Sequence, residues 1–360
     1  MNYNNLLIEN KVDAIWVTEE KNKRYLTNFS GSTCEVIIKK DKVIFITDGR
    51  YKTQIKSELK PGLEVIIITS NRGYSQAVNE VLEDCKTIGV EGNHLSVIAF
   101  NNLKKDLDAE VIALNSVFEK LRLIKSEEEI NKIKEAVKIT DETFSEIVEF
   151  VKPGMTEIEV KVFIEGRQIL KGASSQSFDP IVAANTQSAL PHADPTNNVI
   201  NEGDIITVDF GCIYEGYCSD MTRTFFVGKP KEEKLIEIHN IVNETMNMQI
   251  EMIKPGVKCF DVDKLGRDYI TSKGYGEYFI HGTGHSFGMD IHEEPYLNQT
   301  TTAILEEGMI VTVEPGIYLP KEEFGIRLED DVVIKSKGEP INLMADIPIE
   351  ADEIESIMNT

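Results

Sequence analysis

The sequence predicts an α+β protein of two units: an α/β domain over residues 1–122, followed by a pseudo-symmetric domain over residues 123–360. Three observations lead there. Short β-branched runs alternate with helical stretches in the first third, an internal duplication runs through the rest, and the charge divides at the same place. Residues 1–124 hold 17 basic and 17 acidic side chains, whereas residues 125–360 hold 21 and 44. The entire net charge of −23 therefore belongs to the second part.

In the first unit, VDAIWVT (12–18), EVIIKK (35–40), VIFITD (43–48), LEVIIIT (63–69), TIGV (87–90) and AEVIAL (109–114) read as strands. Helical patterns at about 49–59, 75–84 and 95–106 lie between some of them. Trp16 is expected in this core. Ser126 followed by three glutamates reads as an N-cap with an acidic first turn. Ile130, Ile133, Val137, Thr140, Phe144, Ile147 and Val151 then fall at helical spacing, ending at Lys152-Pro153-Gly154.

Composition excludes several functions. A surface this acidic repels phosphate backbones and anionic lipid, so neither nucleic acid nor membrane is an expected partner. The N-terminus has no basic start leading into an apolar run, so no signal peptide is expected. Five scattered cysteines fit a reducing cytoplasm better than a disulfide framework. Cys212 and Cys218 read as ordinary thiols, His94 and His239 as surface or capping residues, and ADEIESIMNT (351–360) as a frayed tail.

The second unit repeats itself. VKPGMTEIEV (151–160) returns as IKPGVKCFDV (253–262), and His192-Ala193-Asp194-Pro195 as His292-Glu293-Glu294-Pro295. EGDIITVDFG (202–211) returns as EGMIVTVEPG (307–316), aligning Asp209 with Glu314. Three echoes in one order at nearly constant offset indicate two helix–helix–strand–strand halves about a pseudo-dyad. Asp209 ends one strand and Asp220 opens the next; Glu314 and Glu329 do the same in the second half. Four carboxylates gathered on facing hairpins would repel one another, and divalent cations resolve that conflict. Histidines 192, 281, 285 and 292 lie close to these motifs. Gly282 and Gly284 argue that His281 and His285 sit on a strand or loop rather than a helix.

VDFG with an Asp eleven residues on, HGTGHxxGxxxHExP, TVEPG and GIRLEDD together resemble the pita-bread-fold metallopeptidases, in particular Xaa-Pro aminopeptidases and Xaa-Pro dipeptidases (prolidases). NFSGSTCEVIIKK, TDGRY and LRLIKSEEEI extend the resemblance to the family's creatinase/prolidase-like N-terminal domain and linker. It implies a pita-bread catalytic domain cleaving the first residue from short peptides with proline second. The metal ligands it implies are Asp209, Asp220, His285, Glu314 and Glu329, holding two divalent ions. Mn²⁺ is favoured over Co²⁺, Zn²⁺ or Fe²⁺ for so oxygen-rich a set. Glu314 would be the proton shuttle, His192 and His292 would flank the substrate and act on the tetrahedral intermediate and leaving group, His281 would line the proline pocket, and Arg327 would orient the carboxylates. A cytoplasmic homodimer is also implied. Ser286 departs from the glycine common in the family. Three alternatives stay open: a methionine aminopeptidase, a creatinase-like hydrolase, and a non-catalytic scaffold of the same fold.

Overall fold

The computed structural model describes residues 3–40, 42–336 and 339–350 together with Ile354 and Met358. Most of the 351–360 segment, expected as a tail, lies outside the described residues. The chain divides into two compact units, Met1–Leu121 and Arg122–Thr360.

The first unit is a six-stranded mixed sheet of β1 (Ala14–Val17), β2 (Glu35–Lys39), β3 (Lys42–Asp48), β4 (Glu64–Ile68), β5 (Thr87–Glu91) and β6 (Glu110–Leu114), in the order β4-β3-β2-β1-β5-β6. Strand alternation sorts its apolar residues into two cores. Ile15, Val17, Val36, Ile38, Val43 and Phe45 pack with α1 (Tyr3–Asn10), α2 (Glu20–Thr27) and α6 (Val117–Arg122). Ala14, Ile37, Ile44, Ile46 and Ile88 pack on the other face with α4 (Tyr74–Leu82), and Phe100 and Leu103 of α5 (Val97–Asp106) join them. The helix expected over 49–59 is broken into a 3₁₀ turn at Gly49–Tyr51 and α3 (Gln54–Glu58). Trp16 is half-buried at the edge of the second core, where its indole N–H donates to Glu35 Oε2 at 2.9 Å.

The second unit carries the duplication into three dimensions. Helices α7 (Glu127–Phe150) and α8 (Glu157–Leu170) are answered by α9 (Glu233–Met252) and α10 (Cys259–Ser272). The side chain of Ser126 caps α7 and Thr156 caps α8, each in a reciprocal box with a glutamate three residues on. The Pro-Gly turns before α8 and α10 both need positive φ, +96° at Gly154 and +90° at Gly256. Each then makes the same backbone bridge, Thr156 to Val199 and Lys258 to Ile304.

Each half also builds a sheet with its duplicated strand inside. In the first, β7 (Ser175–Gln176), β10 (Cys212–Tyr214) and β11 (Tyr217–Cys218) form a side ribbon. There β9 (Ile205–Phe210) lies between β8 (Ile181–Ala184) and β12 (Met221–Phe226). In the second, β13 (Gly284–Ser286) and β14 (Glu293–Leu297) precede β15 (Ile310–Val313). The hairpin β16 (Gly316–Leu319) and β17 (Phe324–Arg327), then β18 (Asp330–Val333) and β19 (Ile341–Asn342), complete it in the order β14-β13-β15-β18-β19, with β16-β17 apart. Here β15 lies between β13 and β18.

The halves are joined along β12. Arg327 N donates to Thr224 Oγ1, Thr224 Oγ1 donates to Arg327 O, and Glu329 N donates to Thr222 O at 3.1 Å. The fully buried Arg223 reaches across to the Asp330 carboxylate at 2.7 Å and to the Glu329 carbonyl. Cys212 and Cys218 are buried and form no disulfide among the described residues.

His239 corrects an expectation. Rather than lying at the surface it is fully buried on α9, its Nε2 donating to Thr224 O at 3.1 Å. Burial pushes its pKa down to about 4. The unfolded chain therefore binds the extra proton between about pH 6.5 and 4, so this contribution is complete above pH 6.5 and lost on acidification, about 3 kcal/mol by pH 4. His239→Gln, which keeps a donor for Thr224, is expected to show a smaller fall in Tm between pH 7 and pH 5 than wild type in calorimetric scans. An equal fall in both proteins would refute this.

Candidate metal centre

All nine residues singled out in the sequence line one cavity of about 520 Å³ in the second unit. Asp209 lies on β9 opposite Thr222 of β12, and Asp220 immediately precedes β12. Glu329 lies in the link between β17 and β18, where Thr222 Oγ1 donates to its Oε2 at 2.7 Å. The cross-dyad seam of β12 is thus what brings Asp220 and Glu329 together. His285 is delivered by β13, whose Gly284 tolerates no side chain: a Cβ there would come 2.1 Å from Thr312 O. The glycines next to His285 therefore permit close backbone approach, as the motif implied, and His285 is on a strand.

Asp220, His285 and Glu329 can offer ligand atoms all within 4.8 Å of one another, and all three are buried. Glu314, after β15, puts Oε1 3.6 Å from His285 Nε2, while Asp220 Oδ2 is 3.7 Å from the same nitrogen. Asp209 stands apart from that triad, with Oδ2 accepting from Arg327 Nη2 at 2.6 Å and buried Oδ1 without a hydrogen-bond partner among the described residues.

The electrostatics fit divalent cations. Burial first, then repulsion from Glu329, Asp209, Asp331 and Glu314, pushes Asp220 well above the usual carboxylate range. Glu329 is raised likewise, by burial and then by Glu314, Asp209 and Asp331. Glu314 rises to about 8, through burial that outweighs the attraction of Arg327. His285 is pushed down to about 4, by burial and then by His292, and so is neutral. Its Nδ1 lies 3.1 Å from the Ser286 carbonyl, which can only accept, so the ring proton belongs on Nδ1. Nε2 therefore presents its lone pair to carboxylate oxygens. An acceptor facing acceptors, with an orphaned Asp209 oxygen nearby, is the donor set of a cation site.

A second chain of hydrogen bonds forms the cavity wall. Arg327 Nη1 donates to Tyr318 OH at 2.8 Å and to Pro191 O at 3.1 Å. His281 Nδ1 donates to Gly282 O at 2.8 Å, leaving Nε2 to accept from Tyr318 OH at 3.0 Å. Arg327 thus grips Asp209 with one nitrogen and the tyrosine with the other. His192 and His292 are exposed, and the His292 ring stands 4.5 Å from that of His285.

Sequence reasoning missed Thr222, Tyr318, Arg223 and Asp331. Alternation from Glu314 through Gly316 to Tyr318 was a usable signal for the tyrosine. Asp331, buried behind the site, accepts from Asp220 N at 3.4 Å and had a signal only in GIRLEDD.

Comparisons with known proteins identify the family. Residues 131–336 match metallopeptidase family M24, and residues 3–124 match the creatinase/prolidase N-terminal domain. The chain is 44% identical over 337 residues to the peptidase YqhT of Bacillus subtilis (strain 168), covering 93% of this chain and 94% of the relative. Among solved structures it is similar to a Xaa-Pro dipeptidase from Bacillus anthracis, with a TM-score of 0.91, 41% identity and 97% of each chain covered. It is also similar to an X-Pro aminopeptidase from Thermotoga maritima MSB8, with a TM-score of 0.88, 34% identity, and 95% and 98% covered. A carboxylate-rich centre on a duplicated fold, behind a matching N-terminal domain, places this chain in metallopeptidase family M24.

Proposed function

We propose that the protein is a two-metal exopeptidase that cleaves the residue preceding proline at the start of short peptides. The observation that carries this reading is the buried Asp220–His285–Glu329 group, with Glu314 and Asp209 beside it in one cavity. The names of the similar Xaa-Pro dipeptidase and X-Pro aminopeptidase supply the substrate class. Asp209, Asp220, His285, Glu314 and Glu329 would hold the ions, and the oxygen-rich set favours Mn²⁺. Divalent ions bound there supply Lewis-acid charge and make water more acidic.

The chain's own residues supply the rest. The nitrogen of an Xaa-Pro bond carries no hydrogen and must gain a proton to leave as a secondary amine. Glu314, with Oε1 3.6 Å from His285 Nε2, takes a proton from the attacking water at its carboxylate and returns it to that nitrogen. His192 and His292 flank the substrate at the cavity entrance, acting on the developing tetrahedral centre and the leaving group. His281, locked by Gly282 and Tyr318, lines the proline pocket. Arg327 orients Asp209 and Tyr318. No helix among the described residues is long and apolar enough to cross a membrane. The five buried cysteines form no disulfide among the described residues, which supports a reducing cytoplasm, and a homodimer belongs to the same reading.

The test is turnover of a Xaa-Pro dipeptide and a Xaa-Pro-Yaa tripeptide after reconstitution with Mn²⁺ or Co²⁺. Cleavage that disappears on demetallation and returns with metal is expected, and the preferred length separates dipeptidase from aminopeptidase. Cleavage of neither peptide sinks the reading.

A further inference from the structure

A buried charge cluster adjoins the cavity without contributing a reacting group. Lys125 lies between α6 and α7, and its side chain is 1% exposed. Its ammonium donates to Ser286 Oγ and to Glu293 Oε2, each at 3.1 Å. Arg122, also buried, donates to Glu293 Oε1 at 2.6 Å and to the Asp290 carboxylate. Asp290 N donates to that same Glu293 oxygen at 3.1 Å. Gly288 keeps the chain close to this cluster: a Cβ there would come 3.0 Å from Glu293 Oε2 and 3.1 Å from Lys125 Cε, so both side chains would have to shift to admit it.

The position of this cluster matters more than its charge. Ser286 and Glu293 are register partners across β13 and β14, at a bulge between His285 and Ser286. Each directly follows a histidine: His285 facing the carboxylates, and His292 facing the substrate side. Lys125 therefore spans the two backbone positions that aim both imidazoles. Burial pushes the Lys125 pKa down while Glu293 pulls it up. A buried ion pair is a poor source of stability, because desolvation offsets most of its attraction, but it is an effective geometric constraint.

We propose that Lys125 and Arg122 are positioning residues: by holding Glu293 and Ser286 they set the distance between His285 and His292. The inference rests on the peptidase reading of the site. Its test uses the full chain as Lys125→Met and as the double variant Lys125→Met/Glu293→Gln. The single variant leaves a buried carboxylate short of a partner and unfolds earlier; the double variant removes both charges and regains most of the lost Tm.

In both, Co²⁺ titrated into metal-free protein is expected to bind about 10–100-fold more weakly. At saturating metal, kcat on a Xaa-Pro peptide falls at least about tenfold while KM changes less than about threefold. Wild-type Co²⁺ affinity or wild-type kcat in the thermally restored double variant overturns the proposal, because a merely structural pair would recover both. If the wild type cleaves no Xaa-Pro peptide, the peptidase reading fails on its own. Co²⁺ affinity then still decides the clamp, tenfold weakening supporting it and no change overturning it.

Discussion

Glu314→Gln is expected to lower kcat on a Xaa-Pro peptide by about 10²–10⁴-fold at saturating Mn²⁺, the range over which a positioned proton carrier acts. The amide has nearly the same shape and keeps an oxygen for Thr312 Oγ1, now 3.5 Å away, so the cavity keeps its form. What it loses is the ability to take and return a proton beside the scissile nitrogen. Asp220, His285 and Glu329 are untouched, so metal binds more weakly without being abolished. The measurement is kcat and KM with bound metal counted in the same sample. A kcat within about threefold of wild type, at full metal content, removes Glu314 from the role.

Glu329→Gln should give the second large effect, with opposite signs in the two states of the protein. With metal, activity is expected to fall at least about 10³-fold and metal content below two ions per chain, because Glu329 is one of the three residues whose ligand atoms lie within 4.8 Å of one another. Without metal, the variant is expected to be the more stable protein by a Tm difference of about 2–5 °C at pH 8. Burial and the carboxylates of Glu314, Asp209 and Asp331 make a charge at Glu329 unfavourable there, and glutamine removes it. An acid whose folded pKa is raised destabilises at high pH and is relieved as pH falls and it takes up a proton. The advantage of the variant should therefore shrink on acidification. Calorimetry of metal-free and Mn²⁺-loaded samples at pH 6 and pH 8 checks both signs. A metal-free variant less stable than wild type at pH 8 would contradict the electrostatic account.

Much of this site was legible in the sequence for a physical reason. Divalent ions restrict their ligands to a few residue types, and strand alternation fixes where those types must fall, so Asp209 and Glu314 align across the duplication. The same constraint did not reach the joints between the halves. Thr222, Arg223 and Thr224 form the seam with 327–330, yet in sequence they are three ordinary residues of one strand. Their partners lie more than a hundred residues away, and no local period encodes such pairing. His239 was misread although its helix did carry a signal. It falls four residues after Leu235 and three before Val242, on the buried stripe of α9. Treating it as polar by type overrode its position by period. Lys125 and Glu293 escaped for a related reason: a buried ion pair looks in sequence like two more solvated charges.

The seam along β12 also sets a time. Glu329 follows Asp209 by 120 residues, and neither half alone contains the Asp220–His285–Glu329 group. At about 5–20 residues per second, a ribosome needs about 6–24 s to travel from one to the other. For that interval the growing chain carries acids but no centre. A chain that ends between the halves carries Asp220 without His285 or Glu329, and so cannot assemble that group.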